Sequence, residues 1–329
     1  MSELLKIISI NTGLSISDIL RVASNGPNRY KVFMIEKRSG GLRKIAQPAR
    51  ELKHIQRSLI KILEKNLPVH ESATAYRIGK SICDNASPHL SSTHLLKLDF
   101  KDFFGSILEQ DFSKLCVPLL GWKEQTDIAL LVGLLFWRDK ERSGLRLSIG
   151  APSSPFLSNA MLFSFDASVA AYCATKEITY TRYADDMTFS CLSNERLHEV
   201  LIHLTRMLQA MSHPRLTLND QKTTFVSKRF GRRVTGLTLT NEGRLSIGHE
   251  KKRQLRAAIH RFSLGKLDHD QAETLRGNLA FTQSVEASFL SSMKNKYGNE
   301  VIEQLLRRKV SRDPFWESLK RNRIPAPKV

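Results

Sequence analysis

Two short runs of strand-forming residues, Ile178–Tyr183 and Met187–Cys191, are joined by Ala184-Asp185-Asp186. Apolar, aromatic and β-branched residues dominate both runs, so the segment is expected to close as an antiparallel hairpin. Its tip then carries two adjacent carboxylates. Like charges this close repel, and they are tolerated most easily where a cation neutralises them. An Asp-Asp pair also makes a good solvated turn, and the hairpin alone does not separate the two readings.

A third acid bears on the choice. Leu98-Asp99-Phe100-Lys101-Asp102-Phe103-Phe104 puts Asp99 at the end of a short apolar strand, His94–Phe100. A carboxylate there is costly to bury unless it is paired or binds metal. Acids gathered from separate strands are what two-metal phosphoryl transfer requires. One ion lowers the pKa of the attacking hydroxyl and the other stabilises the leaving pyrophosphate oxygen, with the ions about 3.5–4 Å apart. Mg²⁺ suits the task because it prefers carboxylates, substrate phosphates and water.

Charge narrows the partners. The chain of 329 residues carries a formal net charge of +19, which points to polyanions. An anionic membrane is the weaker candidate, because no apolar run reaches the ~18 residues of a spanning helix. The N-terminus lacks the layout of a signal peptide. Cys83, Cys116, Cys173 and Cys191 form no CxxC pair, which argues against zinc and against a disulfide framework. A reduced, cytoplasmic protein is expected.

Turn and period signals give the remaining elements. Arg29 to Pro48 reads as a β-hairpin turning at Ser39-Gly40-Gly41, followed by a helix over Ala49–Leu67. Leu108–Phe136 reads as mostly helical, Phe156–Ala174 and Glu195–Met211 as helices. Short strands are expected at Thr223–Val226, Val234–Leu239 and Arg244–Ile247. Beyond Gly248 the pattern is helical and very basic, with helices over Gly248–Gly265, from Leu275, and over Val301–Arg308. The fold class is α+β with a basic helical tail.

A strand ending in Asp, followed by a YxDD hairpin, resembles motifs A and C of reverse transcriptases. The likeness runs from about Lys31 to at least Gly248. It implies a right-hand polymerase with fingers, a palm built on an antiparallel sheet, and a helical thumb. The implied division is an N-terminal helical extension (1–28), fingers (29–93), palm with motif A (94–121), a helical insertion (122–149), palm with motifs B, C and D (150–240), and a basic RNA-binding thumb (241–329). Asp99 and Asp185 would ligate two Mg²⁺ ions, with Phe100 beside them and Asp186 completing the cluster. Phe104 would be the steric gate under the sugar of an incoming dNTP; a plain core phenylalanine is the alternative. In Gly41-Leu42-Arg43-Lys44-Ile45, Arg43 would hold the triphosphate bidentately. Lys37 would assist, unless it is simply an exposed basic residue. Gly150-Ala151-Pro152 resembles motif B, whose small residues admit template and nucleotide closely. Ile149 departs from that motif, where relatives carry a nucleotide-contacting Gln. Asn219-Asp220-Gln221-Lys222-Thr223 resembles motif D, with Lys222 near the leaving pyrophosphate or merely flexible.

Two further matches narrow the resemblance to retron reverse transcriptases. They are the NAxxH signature at Asn85 to His89 and the VTG triplet Val234-Thr235-Gly236. The resemblance implies RNA contacts from Asn85, His89, Val234, Thr235 and Gly236, and from Lys251, Lys252, Arg253 and Arg256 in the basic tail. It also implies a cognate structured noncoding RNA, priming from a guanosine 2′-hydroxyl, and a branched RNA–DNA product (msDNA). An anti-phage system with a neighbouring effector, or toxin, protein would be the setting. A group II intron or diversity-generating enzyme is the alternative within the class. An RNA-binding, antitoxin-like scaffold for an effector is the alternative outside it.

Overall fold

The computed structural model describes residues 2–37, 40–121 and 124–307. The chain divides into two compact units at Leu245/Ser246. Strands are numbered in chain order: β1 Tyr30–Glu36, β2 Leu42–Pro48, β3 His94–Asp99, β4 Trp137–Arg138, β5 Leu145–Arg146, β6 Thr179–Tyr183, β7 Asp186–Cys191, β8 Thr224–Ser227, β9 Arg232–Val234 and β10 Leu237–Leu239.

The first unit is organised on a four-stranded sheet in the order β6-β7-β3-β8. All three pairings are antiparallel. Side chains alternate faces along each strand. Met187, Phe189 and Cys191 of β7 form an apolar row, with Phe189 fully buried and stacked on Tyr180 at 4.8 Å between ring centroids. Asp186, Thr188 and Ser190 form the opposite row. Thr188 and Ser190 there are buried, with Ser190 bonded by His89 and Ser92, while Asp186 at the start of the strand is exposed. Helices Phe163–Thr175 and Asn194–Ala210 pack on the sheet.

The hairpin β1–β2 pairs Tyr30 with Pro48 through to Glu36 with Leu42, within the range the sequence suggests. Helices Glu3–Thr12 and Ile16–Ser24 bury Leu4, Ile8, Ile19 and Val22 in the same core as helices Arg50–Leu63 and Gln125–Leu135. The N-terminal helices are thus part of the first unit's core. They approach closely: a Cβ on Gly26 would lie 2.0 Å from the carbonyl oxygen of Gly133.

Two expected helices are broken. Leu108–Phe136 separates into Glu109–Leu115, Val117–Leu120 and Gln125–Leu135, because Gly121 is left-handed after the second piece. Phe156–Ala174 starts earlier, at Ser153, and breaks at Leu162 into Ser153–Met161 and Phe163–Thr175. The second unit contains helices His249–Ser263, His269–Val285, Ala287–Tyr297 and Asn299–Arg307 around Leu255, Ile259, Leu275, Leu279, Phe289 and Leu290. The helix expected from Leu275 begins six residues earlier, where the Asp268 side chain accepts from the Gln271 amide at 2.8 Å. Among the described residues no helix is long and apolar enough to cross a membrane.

Candidate active site

The sheet register assembles the acids. Asp99 ends β3 and faces Asp186, which begins β7. Directly paired residues share a face, so both carboxylates leave the sheet on one side. Asp185 lies in the β6–β7 turn, where its carbonyl accepts from the Phe100 amide at 3.2 Å. Phe100 contributes that backbone contact; its ring is buried and stacked on Phe103 at 5.5 Å. On the other edge, the Asn219 amide donates to the Asp99 carbonyl at 2.8 Å. The 3₁₀ turn Asp220–Lys222 then carries Lys222 back over the strand. Its ammonium donates to both Asp99 carboxylate oxygens, each at 2.8 Å.

Charge is unbalanced here. Burial raises the Asp185 pKa, and Asp99 raises it further against the pull of Lys222 and Arg43. Asp186 is pushed up to about 6, by burial first and then by Asp185 and Asp99. Burial lowers the Lys222 pKa, but Asp99, Asp185 and Asp186 outweigh it and the net shift is upward. The Lys222 ammonium in contact with the cluster bonds Asp99, and Asp185 and Asp186 resist ionisation. Among the described residues no three His, Cys, Asp or Glu side chains form a ready-made metal cage. Mg²⁺ does not need one: it keeps several waters and takes one or two carboxylates plus substrate phosphates. Hard oxygen donors short of positive charge fit such an ion.

The turn is held from behind. Ala184 adopts a left-handed φ of 59°, unusual for a residue with a Cβ. The Arg182 guanidinium, fully buried, donates to the Ala184 carbonyl at 2.9 Å and to Asn159 Oδ1 at 3.1 Å. Its Nε and Nη2 grip the buried Asp166 carboxylate at 2.8 and 2.5 Å. Burial alone lowers the Arg182 pKa, and Asp166 more than restores it. Tyr180 donates to the same carboxylate at 2.8 Å. Sequence reasoning missed Arg182 and Asp166. The signal was present: a lone base in a strand and a lone acid in an otherwise apolar helix are rarely buried unless paired.

The NAxxH residues correct an expectation. Asn85 and His89 are buried, at 1% and 0% exposure, and face protein rather than an RNA surface. His89 bonds Ser190 Oγ at 2.7 Å and Thr181 Oγ1 at 2.8 Å, on the polar face of β6 and β7. Asn85 accepts from Thr74 and Thr181. The VTG triplet joins the same assembly. Val234 is buried, and Thr235 donates to the carbonyl of Ile82, at the start of the helix that contains Asn85. Gly236 has a φ of 83° in the β9–β10 turn. Nearby, the buried guanidinium of Arg232 bonds the carbonyls of Leu90, Ser92 and Thr240.

Arg43 and Lys37 are exposed on the β1–β2 hairpin, and Arg43 is near enough to lower the Asp185 pKa. Gly150 lies against that hairpin: a Cβ there would sit 2.8 Å from the Ala46 carbonyl oxygen, at a φ of 128°. The Ala46 amide donates to Ile149 at 2.9 Å, and Ala151 is buried. Phe104 is half-buried with its ring 6.5 Å from that of Tyr76. In the second unit, Lys251 and Arg256 lie over Phe281 and Phe289. Arg253 is exposed. The Lys252 ammonium is bound to Glu286 at 2.5 Å.

The chain matches the family described as reverse transcriptase (RNA-dependent DNA polymerase) over residues 35–256. It is 40% identical over 292 residues to the retron Ec83 reverse transcriptase of Escherichia coli, spanning 88% of this chain and 93% of that one. It is 28% identical to the retron Ec86 enzyme of the same organism, over 88% and 89% of the two chains. To the retron Mx65 enzyme of Myxococcus xanthus it is 32% identical, over 77% of this chain and 61% of the relative. Among solved structures it is similar to apo telomerase from Candida tropicalis, with a TM-score of 0.48 at 13% identity over 84% and 61%. The chain belongs to the reverse transcriptase family and, within it, to the retron type. It is an RNA-directed DNA polymerase, and its α+β fold on an antiparallel sheet is of the right-hand polymerase class.

Proposed function

We propose that this enzyme, in the cytoplasm, copies a structured noncoding RNA encoded beside it. Synthesis starts from a guanosine 2′-hydroxyl and yields a branched RNA–DNA hybrid, msDNA. The observation that carries the chemical part is the convergence of Asp99, Asp185 and Asp186 at one end of the sheet, with the Lys222 ammonium on Asp99. The retron relatives carry the choice of RNA and product.

Asp99, Asp185 and Asp186 would hold two Mg²⁺ ions, which supply charge neutralisation and an acidified hydroxyl nucleophile. Arg43 grips the triphosphate, and Phe104 limits the space under the sugar. Lys222 keeps a proton beside the reacting centre and delivers it to the leaving pyrophosphate. Arg182, Asp166 and His89 hold β6 and β7 so that the two turn acids stay in register with Asp99. Residues 29–93 act as fingers, and the basic helices beyond Leu245 bind RNA through phosphates and 2′-hydroxyls. The hybrid and the enzyme together restrain a neighbouring effector protein in phage defence.

The test is co-expression with the neighbouring noncoding RNA, followed by extraction of nucleic acid and treatment with a debranching enzyme. A short DNA that stays joined to RNA until debranched is expected. Unbranched cDNA alone would contradict the retron priming route.

A further inference from the structure

Tyr76 stands apart from every motif named above, and the fold holds it with unusual care. The segment before it adds to the edge of the sheet. The Arg182 amide donates to the Ser72 carbonyl at 2.7 Å, the Thr74 amide donates to the Arg182 carbonyl at 2.9 Å, and Ala73 pairs with Arg182 in parallel. The Ala75 carbonyl accepts from Asn159 at 2.9 Å. The Arg77 guanidinium clamps the carbonyls of His70, Glu71 and Ala73. Between these anchors Tyr76 takes a left-handed φ of 61°. Strain of this kind in a bulky aromatic persists only where the surroundings impose it, and it concentrates at functional sites.

The strain turns the ring out of the core. Tyr76 is 51% exposed, unusual for a tyrosine so firmly anchored. Its ring packs beside Phe104. Its pKa is raised, by burial first and then by Asp185 and Tyr183, with Arg43 opposing. The phenol therefore lies within electrostatic reach of Asp185 and Arg43. Among the described residues no protein group hydrogen-bonds its hydroxyl.

We propose that Tyr76 selects the incoming nucleotide. Its ring and that of Phe104 form one aromatic wall against the sugar, and its hydroxyl supplies the polar nucleotide contact that Ile149 cannot. This inference rests on the polymerase reading above, and it assigns a specificity role to a residue outside motifs A to D. The two backbone hydrogen bonds of Ser72 and Thr74 with Arg182 tie the segment before Tyr76 to the strand that leads into the acid-bearing turn.

The test uses the full chain on a poly(rA)/oligo(dT) template–primer, with dTTP and UTP as probes. For Tyr76→Phe, a rise of about tenfold in KM for dTTP with little change in kcat is expected, the loss of one hydrogen bond. Tyr76→Ala is expected to lower discrimination between dTTP and UTP, measured as the ratio of kcat/KM values, by tenfold or more. Wild-type KM and discrimination in both variants would overturn the proposal. So would a uniform loss of kcat in Tyr76→Ala with discrimination intact, which is the mark of a merely structural residue. Should Tyr76→Ala fail to fold, Tyr76→Phe decides alone. Asp185→Asn and Phe104→Ala run in parallel. Full activity in the first counts against the earlier reading of the acids while leaving the Tyr76 result to stand on its own, and unchanged discrimination in the second counts against the shared aromatic wall.

Discussion

The Arg182 guanidinium donates to the carbonyl of Ala184, the residue just before the two turn acids, at 2.9 Å. A fully buried ion pair with Asp166 holds the same guanidinium. The active turn is therefore fixed through a charge that water cannot reach.

Removing one partner of such a pair leaves the other charge buried and alone, at a cost of about 3–5 kcal/mol. Asp166→Ala is expected to lower unfolding free energy by that amount in urea melts. Arg182→Lys keeps the charge but cannot reach Asp166, Asn159 and Ala184 together. It is expected to lose polymerisation at least tenfold while retaining most of its RNA affinity. Equal losses in both measurements would count against a positioning role.

His89 makes the fold sensitive to acid. Burial lowers its pKa from 6.5 to about 3, so it is neutral when folded. Below pH 6.5 the unfolded chain takes up the proton first, and stability falls as pH falls, by about 1.4 kcal/mol per unit. Asp186 acts with the opposite sign. Its folded pKa of about 6 lies above its unfolded value of 3.8, so the folded state takes up the proton first between those values. The difference between wild type and His89→Gln isolates the histidine. Wild type is expected to lose about 2–3 kcal/mol more than the variant between pH 7.5 and 4.5. Parallel pH curves in denaturant melts would contradict the assignment.

Gly133 sets two effects against each other. Alanine in a helix interior gains about 1 kcal/mol over glycine. A Cβ at this position would meet the Ala23 carbonyl oxygen at 2.5 Å, and overpacking against backbone costs about 1–3 kcal/mol. Gly133→Ala is expected to lower the thermal midpoint by a few degrees, and a raised midpoint would show that the N-terminal helices yield.

The basic helices separate two kinds of lysine and arginine. Arg253 is exposed, and Arg253→Ala is expected to reduce the slope of log K for RNA against log salt by about 1. Lys252 is held by Glu286. Lys252→Ala is expected to leave that slope alone and cost about 1–3 kcal/mol of stability.

Much of the acid site was legible in the sequence because its elements are local. Short runs of apolar, aromatic and β-branched residues mark β3, β6 and β7, and an acid at the end of an apolar run is costly enough to demand a reason. The helical breaks at Gly121 and Leu162 differ: the first had a glycine to announce it, the second had no local signal. The RNA contacts of Asn85 and His89 were implied by the resemblance, and nothing in the local sequence shows that both side chains point inward. Their partners, Thr181 and Ser190, lie far along the chain, and only the closed sheet brings them together. Tyr76 was invisible for the same reason, since its exposure follows from a backbone angle imposed by Arg182 and Asn159.

The central claim is that Asp99, Asp185 and Asp186 bind the cations that nucleotidyl transfer needs. Primer extension on an RNA template, titrated with MgCl₂, tests it most directly in wild type and in Asp185→Asn/Asp186→Asn. Wild type is expected to be inactive after chelation and to recover as Mg²⁺ is restored. The double variant is expected to remain at least a thousandfold slower at every Mg²⁺ concentration while still binding template RNA, a loss of about 4 kcal/mol or more. DNA synthesis by the folded double variant at a rate near wild type would contradict the account.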